Sequence, residues 1–406
     1  MSTIFQGELK PTDAAPIDPQ LVEPSLRELR ESYTLPGIAY TSTELFEWEM
    51  RHFFENSWVC LGRTDQLMRP NTRQAVRVGR ESVLLTRDAL GVLRAFFNVC
   101  RHRGHELLPV GGSAEGDPIQ CPYHGWSYRP DGSLKSAPRL GYRPGFMPSE
   151  HSLTPVRVDQ WRGWAFINAS GDASPLADHL GNLDEILGPW HPEEMVETSR
   201  MDYVVEANWK LIHENFQECY HCSEIHPELC RVSPPTSGLN MDATGMWIGG
   251  WMDLLPDAVT MSLTGQTNAP LLPGLSSQQR RRVFYFGLFP NLLISPHPDY
   301  VLTHRIEALS PTRSRVECRA LFPRSVAERD GFDGSYASDF WDITNRQDWA
   351  AVESIQRSTA SRGFRPGPIS EPEESVYQFF NMIAAGYVTG RVDRPRNPAI
   401  KAEVRR

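Results

Sequence analysis

Residues 100–124 constrain this chain more than any other stretch. They read Cys100-Arg-His102, then eighteen residues, then Cys121-Pro-Tyr-His124. Two thiolates and two imidazoles on two short loops can hold a [2Fe–2S] cluster, with the cysteines on one iron and the histidines on the other, the Rieske arrangement. Imidazole in place of thiolate leaves such a cluster less negative and easier to reduce. A closed zinc site is the alternative, but zinc sites favour Cys-Cys and His-His pairs. Here each pair is mixed, so each loop offers one ligand to each of two irons. Arg101, Arg103 and His105 are surplus to that set and are assigned to loop packing or solvent. Gly104 and Gly125 are placed to let backbone N–H groups approach the sulfides and tune the potential.

The loops hang from a stretch patterned as short strands. Ala75–Val78, Ser82–Thr86 and Leu93–Val99 are separated by Gly-Arg-Glu and Asp-Ala-Leu-Gly turns, and Arg129-Pro-Asp-Gly132 marks another turn. Upstream, 19–33 reads as one helix and 41–57 as an amphipathic helix capped by Thr41 or Ser42. Downstream, a helical piece is expected near 179–186. Long antiparallel strands are expected over 283–295, 300–309 and 315–322, and a helix over 339–359. The division follows: an N-terminal arm at 1–57 packing on the catalytic part, an all-β cluster domain at 58–168, a catalytic domain at 169–390 and a mobile basic tail at 391–406.

Composition excludes several classes. The formal charge of the 406 residues is −9 and the pI about 5.8, which argues against nucleic acid as a partner. No apolar run approaches the roughly 18 residues of a membrane span. The N-terminus lacks the basic and apolar regions of a secretory signal. Seven cysteines are few and odd in number, so a reducing cytoplasm is expected and no disulfide framework.

A second metal pattern follows at 218–226, where Glu218-x-x-His221-x4-His226 offers two imidazoles close together. An iron(II) that activates O₂ takes two histidines and one carboxylate and keeps open positions. His221 and His226 suit it. Two core or surface histidines near a helix end are the alternative reading. The third ligand must come from distant sequence, and Asp339, Asp342 and Asp348 on the late helix compete for it. Cys219-x-x-Cys222 and Cys230 are read as buried thiols.

Cys-x-His-Arg-Gly and Cys-Pro-Tyr-His-Gly-Trp resemble the Rieske segment of the Rieske non-heme iron oxygenases, in their catalytic alpha subunit, over about residues 40–390. The resemblance implies an α+β fold: a small all-β Rieske [2Fe–2S] domain, and a catalytic domain with a large antiparallel sheet flanked by helices, helix-grip and START-like. It implies that Cys100, His102, Cys121 and His124 hold the cluster and that His221 and His226 hold mononuclear Fe(II). It places the third ligand on the late helix ahead of a Glu and a Gln, here Glu353 and Gln356, which matches Asp348. It also implies that Glu218 bridges two subunits, joining His124 of one chain to His221 of the next, as orienting carboxylates do. Most members carry Asp at that position. The Glu here is similar to the subgroup that oxidises quaternary amines.

The chain has no nicotinamide or flavin fingerprint. The resemblance therefore implies a separate flavin/iron–sulfur reductase that passes electrons from NAD(P)H, and a homotrimer closed by head-to-tail contacts. The expected reaction is hydroxylation or N-demethylation of a small methylated ammonium compound. The alternative is hydroxylation of an aromatic ring or acid. A non-catalytic electron carrier or sensor is a different class, and the second metal pattern argues against it. Trp247, Trp251, Phe284, Phe286 and Phe289 are expected to line the substrate pocket, where aromatic faces attract cations.

Overall fold

The computed structural model describes residues 14–140 and 143–397. The start of the N-terminal arm, 1–13, and the end of the basic tail, 398–406, lie outside the described residues. Among those described, no helix is long and apolar enough to cross a membrane.

The arm is helical but broken. Pro24 divides 19–33 into the short turns Pro19–Val22, Glu23–Leu26 and Leu29–Glu31, because proline removes a donor and crowds the preceding turn. Helix α1 (Thr43–Glu49) starts at Ser42, whose hydroxyl accepts from Leu45 N–H at 3.1 Å, and runs into a wider turn over Met50–Phe54.

The strand-rich stretch comprises β1 (Val59–Arg63), β2 (Thr72–Val78), β3 (Glu81–Arg87), β4 (Leu93–Phe97), β5 (Ser113–Glu115), β6 (Ile119–Gln120), β7 (Ser127–Tyr128), β8 (Leu134–Ser136), β9 (Pro155–Trp161) and β10 (Trp164–Asn168). Seven form an antiparallel sheet in the order β1-β10-β9-β4-β3-β2-β5, and β6-β7-β8 form a small second sheet. Alternation along β3 divides its duties. Val83 and Leu85 join the large core shared with the arm, whereas Leu84 packs in the cluster of Phe96, Cys100, Cys121, Trp126 and Tyr128.

The second large sheet contains β11 (Met195–Val205), β12 (Leu239–Asn240), β13 (Trp247–Asp253), β14 (Arg282–Leu288), β15 (Leu292–Pro296), β16 (Val301–Ser310) and β17 (Arg313–Pro323). It is antiparallel in the order β11-β17-β16-β15-β14-β13-β12. The single strand expected over 283–295 is therefore two. The break falls at Phe289-Pro290-Asn291, where proline has no N–H for a ladder. Likewise the helical piece near 179–186 divides into Leu176–Leu180 and Leu183–Leu187 at Gly181, whose φ is 54°.

Helix α2 (Trp209–Phe216) starts at Asn208, whose side chain accepts from Lys210 N–H. It lies across the sheet where Gly287 leaves room. A Cβ there would come within 2.3 Å of Gln217 Nε2 and 2.6 Å of the His213 ring. Beyond it come the one-turn helices α3 (Cys222–Ile225) and α4 (Pro227–Cys230), then α5 (Ser335–Thr359) and α6 (Glu374–Thr389).

Side chains lock the parts together. Asn291 pairs with both backbone groups of Cys60, at 2.9 and 3.0 Å, joining the two sheets' units. Lys210 Nζ meets Glu49 Oε1 at 2.7 Å with both side chains fully buried, and Trp209 Nε1 donates to the other Glu49 oxygen. This pair ties the arm to α2. Removing one partner of such a pair typically costs about 3–5 kcal/mol, since the other charge is stranded.

Candidate metal centres

The first centre is made by two loops of matched geometry. In each, the Cys carbonyl accepts from the glycine N–H four residues on: Gly104 to Cys100 at 3.0 Å, and Gly125 to Cys121 at 3.1 Å. Both glycines have positive φ, 74° and 73°, which a side chain would resist. Each Cys N–H then donates to the residue five on, His105 or Trp126. Cys-x-His-x-Gly and Cys-x-x-His-Gly are thus two settings of one turn. The N–H groups of Gly104 and Gly125 themselves are spent on these carbonyls.

Cys100 and Cys121 are both buried and unbonded to each other. The His102 and His124 rings lie 4.6 Å apart at the exposed edge, with His102 stacked on Trp126 at 5.0 Å. Tyr128 Oη sits 3.3 Å from Cys100 Sγ and accepts from Arg101 N–H at 3.0 Å. It therefore has its own proton free for the sulfur. Two enclosed sulfurs backed by a hydroxyl donor, with two imidazoles at the rim, fit a [2Fe–2S] cluster reached from solvent on its histidine side.

The second centre is built by a helix break. Pro227 disfavours helical backbone at the residue before it, and His226 sits there with φ −120° and ψ 66° between α3 and α4. His221 ends the preceding turn, which Glu218 organises: one carboxylate oxygen accepts from the N–H groups of Tyr220 and His221, and the other meets His221 Nδ1. Asp348 arrives from α5. Its Oδ1 is 2.9 Å from His226 Nε2 and 3.5 Å from His221 Nε2, and the two Nε2 atoms are 3.2 Å apart. The structure thus brings the two predicted histidines and Asp348 together.

Both outer ring nitrogens are engaged, His221 Nδ1 by Glu218 and His226 Nδ1 by Gln347 Oε1 at 2.8 Å. Gln347 in turn donates to Glu228 at 3.1 Å. With protons held on Nδ1, two imidazole lone pairs and a carboxylate converge on one point, and such a set needs a cation between its members. His226 shows the same bias. Burial pushes its pKa down, but the bond and charge of Asp348 and the bond to Gln347 outweigh it, and the net shift is upward. The donor set fits a two-histidine, one-carboxylate iron site. Gln347 and Glu228 were not foreseen. Only the position of Gln347 beside Asp348 hinted at it.

Other expectations change. Cys219 and Cys222 are joined in a disulfide, their Cα atoms 4.9 Å apart, within the usual bridging range; of the three expected thiols only Cys230 is free. Glu214, one turn before Glu218, accepts from Tyr40 Oη at 3.0 Å, and burial raises its carboxyl to about 8.

The expected pocket aromatics make their ring contacts away from His221 and His226. Phe284 packs on Trp190 at 5.1 Å and Phe286 on Trp247 at 5.4 Å, in the core that faces Trp58 and Trp164. Phe289 lies 6.2 Å from both Phe53 and Trp209. Trp251 is covered by the Arg282 guanidinium at 3.3 Å. The reason is strand parity: Phe284 and Phe286 do share a face, but Tyr285 and Gly287 hold the face toward α2. Besides His226, the rings of Tyr285 and His304 feel the Asp348 charge.

Comparison with known proteins is consistent with both centres. Residues 57–147 match the Rieske [2Fe-2S] domain, and 192–390 match the ring hydroxylating alpha subunit (catalytic domain). The glycine betaine monooxygenase oxygenase subunit of Chromohalobacter salexigens is 28% identical over 379 residues, covering 86% of this chain and 84% of that protein. The carnitine monooxygenase oxygenase subunit of Acinetobacter baumannii is 37% identical over 198 residues, 48% of this chain and 53% of its own. The crystal structure of the quaternary ammonium Rieske monooxygenase CntA in complex with gamma-butyrobetaine superposes with a TM-score of 0.70 at 25% identity, covering 92% of this chain and 99% of that one.

Proposed function

Because the chain belongs to the Rieske non-heme iron oxygenases as a catalytic alpha subunit, we propose that it hydroxylates an N-methyl group of a small quaternary or methylated ammonium compound. Hydroxylation at that carbon gives an N-hydroxymethyl group, which collapses to formaldehyde and the demethylated amine. The observation that carries this reading is the glutamate at 218 set against His221, together with the relatives named for glycine betaine and carnitine.

Residues 58–168 serve as the cluster domain and 169–390 as the catalytic domain. Cys100, Cys121, His102 and His124 hold the cluster; His221, His226 and Asp348 hold the iron. When bound, the two metal groups supply one-electron transfer and the reductive activation of O₂. The protein's part is to aim the ligands. Glu218 and Gln347 keep protons on the two Nδ1 atoms, so both Nε2 atoms remain ligands. Electrons come from NAD(P)H through a separate reductase, and the small number of cysteines suits a reducing cytoplasm. A homotrimer brings the exposed His124 of one chain to the Glu218 of the next.

A screen with a surrogate reductase tests the substrate class. Formaldehyde release from betaine-like compounds, with no product from aromatic acids, is expected. The converse result would shift the assignment to aromatic hydroxylation.

A further inference from the structure

Cysteine is scarce in this chain, yet three of the seven fall between 219 and 230, in the segment that carries both iron histidines. Two of the three are bridged. Cys219 and Cys222 enclose Tyr220 and His221 in one turn, which Cys222 N–H also closes by donating to the Cys219 carbonyl at 3.1 Å. The free thiols outside the cluster loops are poor partners for exchange. Burial lifts Cys60 and Cys318 to about 12. It also raises Cys230, whose Sγ donates to the Cys222 carbonyl at 3.3 Å.

The two bridged sulfurs have different surroundings. Cys219 is only partly buried and precedes the exposed Tyr220. Cys222 is 3% exposed, at the start of α3, in the core cluster of Leu229, Met252 and Trp341. An attacking thiolate therefore meets the Cys219 sulfur, and the Cys222 sulfur is the leaving group. It leaves toward the iron site. The Cys222 sulfur and a ring nitrogen of each of His221 and His226 lie within 4.8 Å of one another. Metal bonds of roughly 2.1 Å to nitrogen and 2.3 Å to sulfur separate two donors by at most about 4.4 Å. A small movement thus makes this sulfur a further donor. While bridged it carries no charge to offer. Freed beside a metal cation it loses its proton and binds as thiolate.

We infer that the Cys219–Cys222 bridge is a redox-active modification site: a dithiol reductant opens it, and the freed Cys222 sulfur takes one of the positions that the iron keeps open. The bridged form is then the working form. In the step the S–S bond breaks, and the dithiol gives up two electrons and closes to a cyclic disulfide. One of its protons goes to the Cys219 sulfur, and the other is released to water as Cys222 binds. The inference rests on the iron reading of His221, His226 and Asp348 and is independent of the substrate.

Nitric oxide, which binds open iron(II), tests it by electron paramagnetic resonance on the anaerobic holoenzyme, with the cluster oxidised and therefore silent. Alkylation of the denatured protein as purified is expected to leave Cys219 and Cys222 unlabelled. Treatment of the native protein with dithiothreitol, removed before measurement, should make both label. It should also alter the rhombicity of the nitrosyl signal and lower turnover by ~10-fold or more, the scale of altering a metal site's surroundings. Iron content and the cluster's visible spectrum should not change. Cys219→Ser, which frees Cys222 permanently, should show the altered signal without dithiol. Cys222→Ala, with neither bridge nor donor, should show the wild-type signal with or without it. Labelling of both residues before reduction, or a treated protein that keeps its original signal or its turnover, overturns the inference. An altered signal in Cys222→Ala assigns the change to a loosened turn and overturns the donor role. A protein with a full cluster and no nitrosyl signal in any form overturns the iron reading itself.

Discussion

Asp348→Ala abolishes O₂-dependent turnover while leaving the cluster's visible spectrum unchanged. The carboxylate closes the set of His221 and His226 at 3.5 and 2.9 Å. Without it, two neutral imidazoles remain, and two lone pairs without a counter-charge retain iron(II) poorly. Replacing an outer partner of a metal ligand already costs roughly 10–100-fold in affinity or activity, and loss of the ligand itself should exceed that. Iron analysis should return the two irons of the cluster and lose the third. The rival carboxylates make useful controls. Asp339 lies nine residues earlier on α5, two and a half turns away and so on the opposite face, and Asp339→Ala should keep its iron. Full turnover in Asp348→Ala would remove Asp348 from the ligand set.

Glu218→Gln is expected to slow cluster-to-iron electron transfer by roughly 10–100-fold, the range for partners of metal-ligating histidines, with both sites still loaded. The carboxylate has a local duty that glutamine can partly assume, since its two oxygens serve the N–H groups of Tyr220 and His221 and the Nδ1 of His221. What glutamine lacks is the charge and the second acceptor for a neighbouring imidazole. The surroundings suit such a contact. Tyr220 is 66% exposed beside Glu218, and Tyr123 is 52% exposed beside His124. Rapid-mixing absorbance of the pre-reduced protein reads the rate directly. An unchanged rate with full iron content would leave Glu218 as a turn-organising residue alone.

What the sequence disclosed, and what it hid, follows the range of the interactions. Cys100, His102, Cys121 and His124 were readable because both loops are local turns, each closed by its own glycine. His221 and His226 were readable from spacing, and Asp348 from its place on a long helix that the pattern foretold over all but its first turn. Which face of β14 meets α2 was not readable, because it is set by pairing with β13 and β15 and by the bare Gly287 beneath α2. No local pattern records that choice. The bonds of Gln347 to His226 and Glu228 join residues far apart in the chain. The Cys219–Cys222 bridge had a visible spacing, but scarcity of cysteine argued for thiols and the local geometry overruled it.

The central claim is that the working site is divided between two chains, with the cluster of one serving the iron of its neighbour. Mixed oligomers test it most directly. One chain carries His124→Ala, which disables its cluster, and the other Asp348→Ala, which disables its iron; each homo-oligomer is inactive. Co-expressed in equal amounts and purified through a tag on each, the mixed trimers should recover about a third of wild-type formaldehyde release, because a head-to-tail ring of three that contains both chains has one junction in three where an intact cluster faces an intact iron. A mixture as inactive as its two parents would contradict the account, since it would confine electron transfer to a single chain.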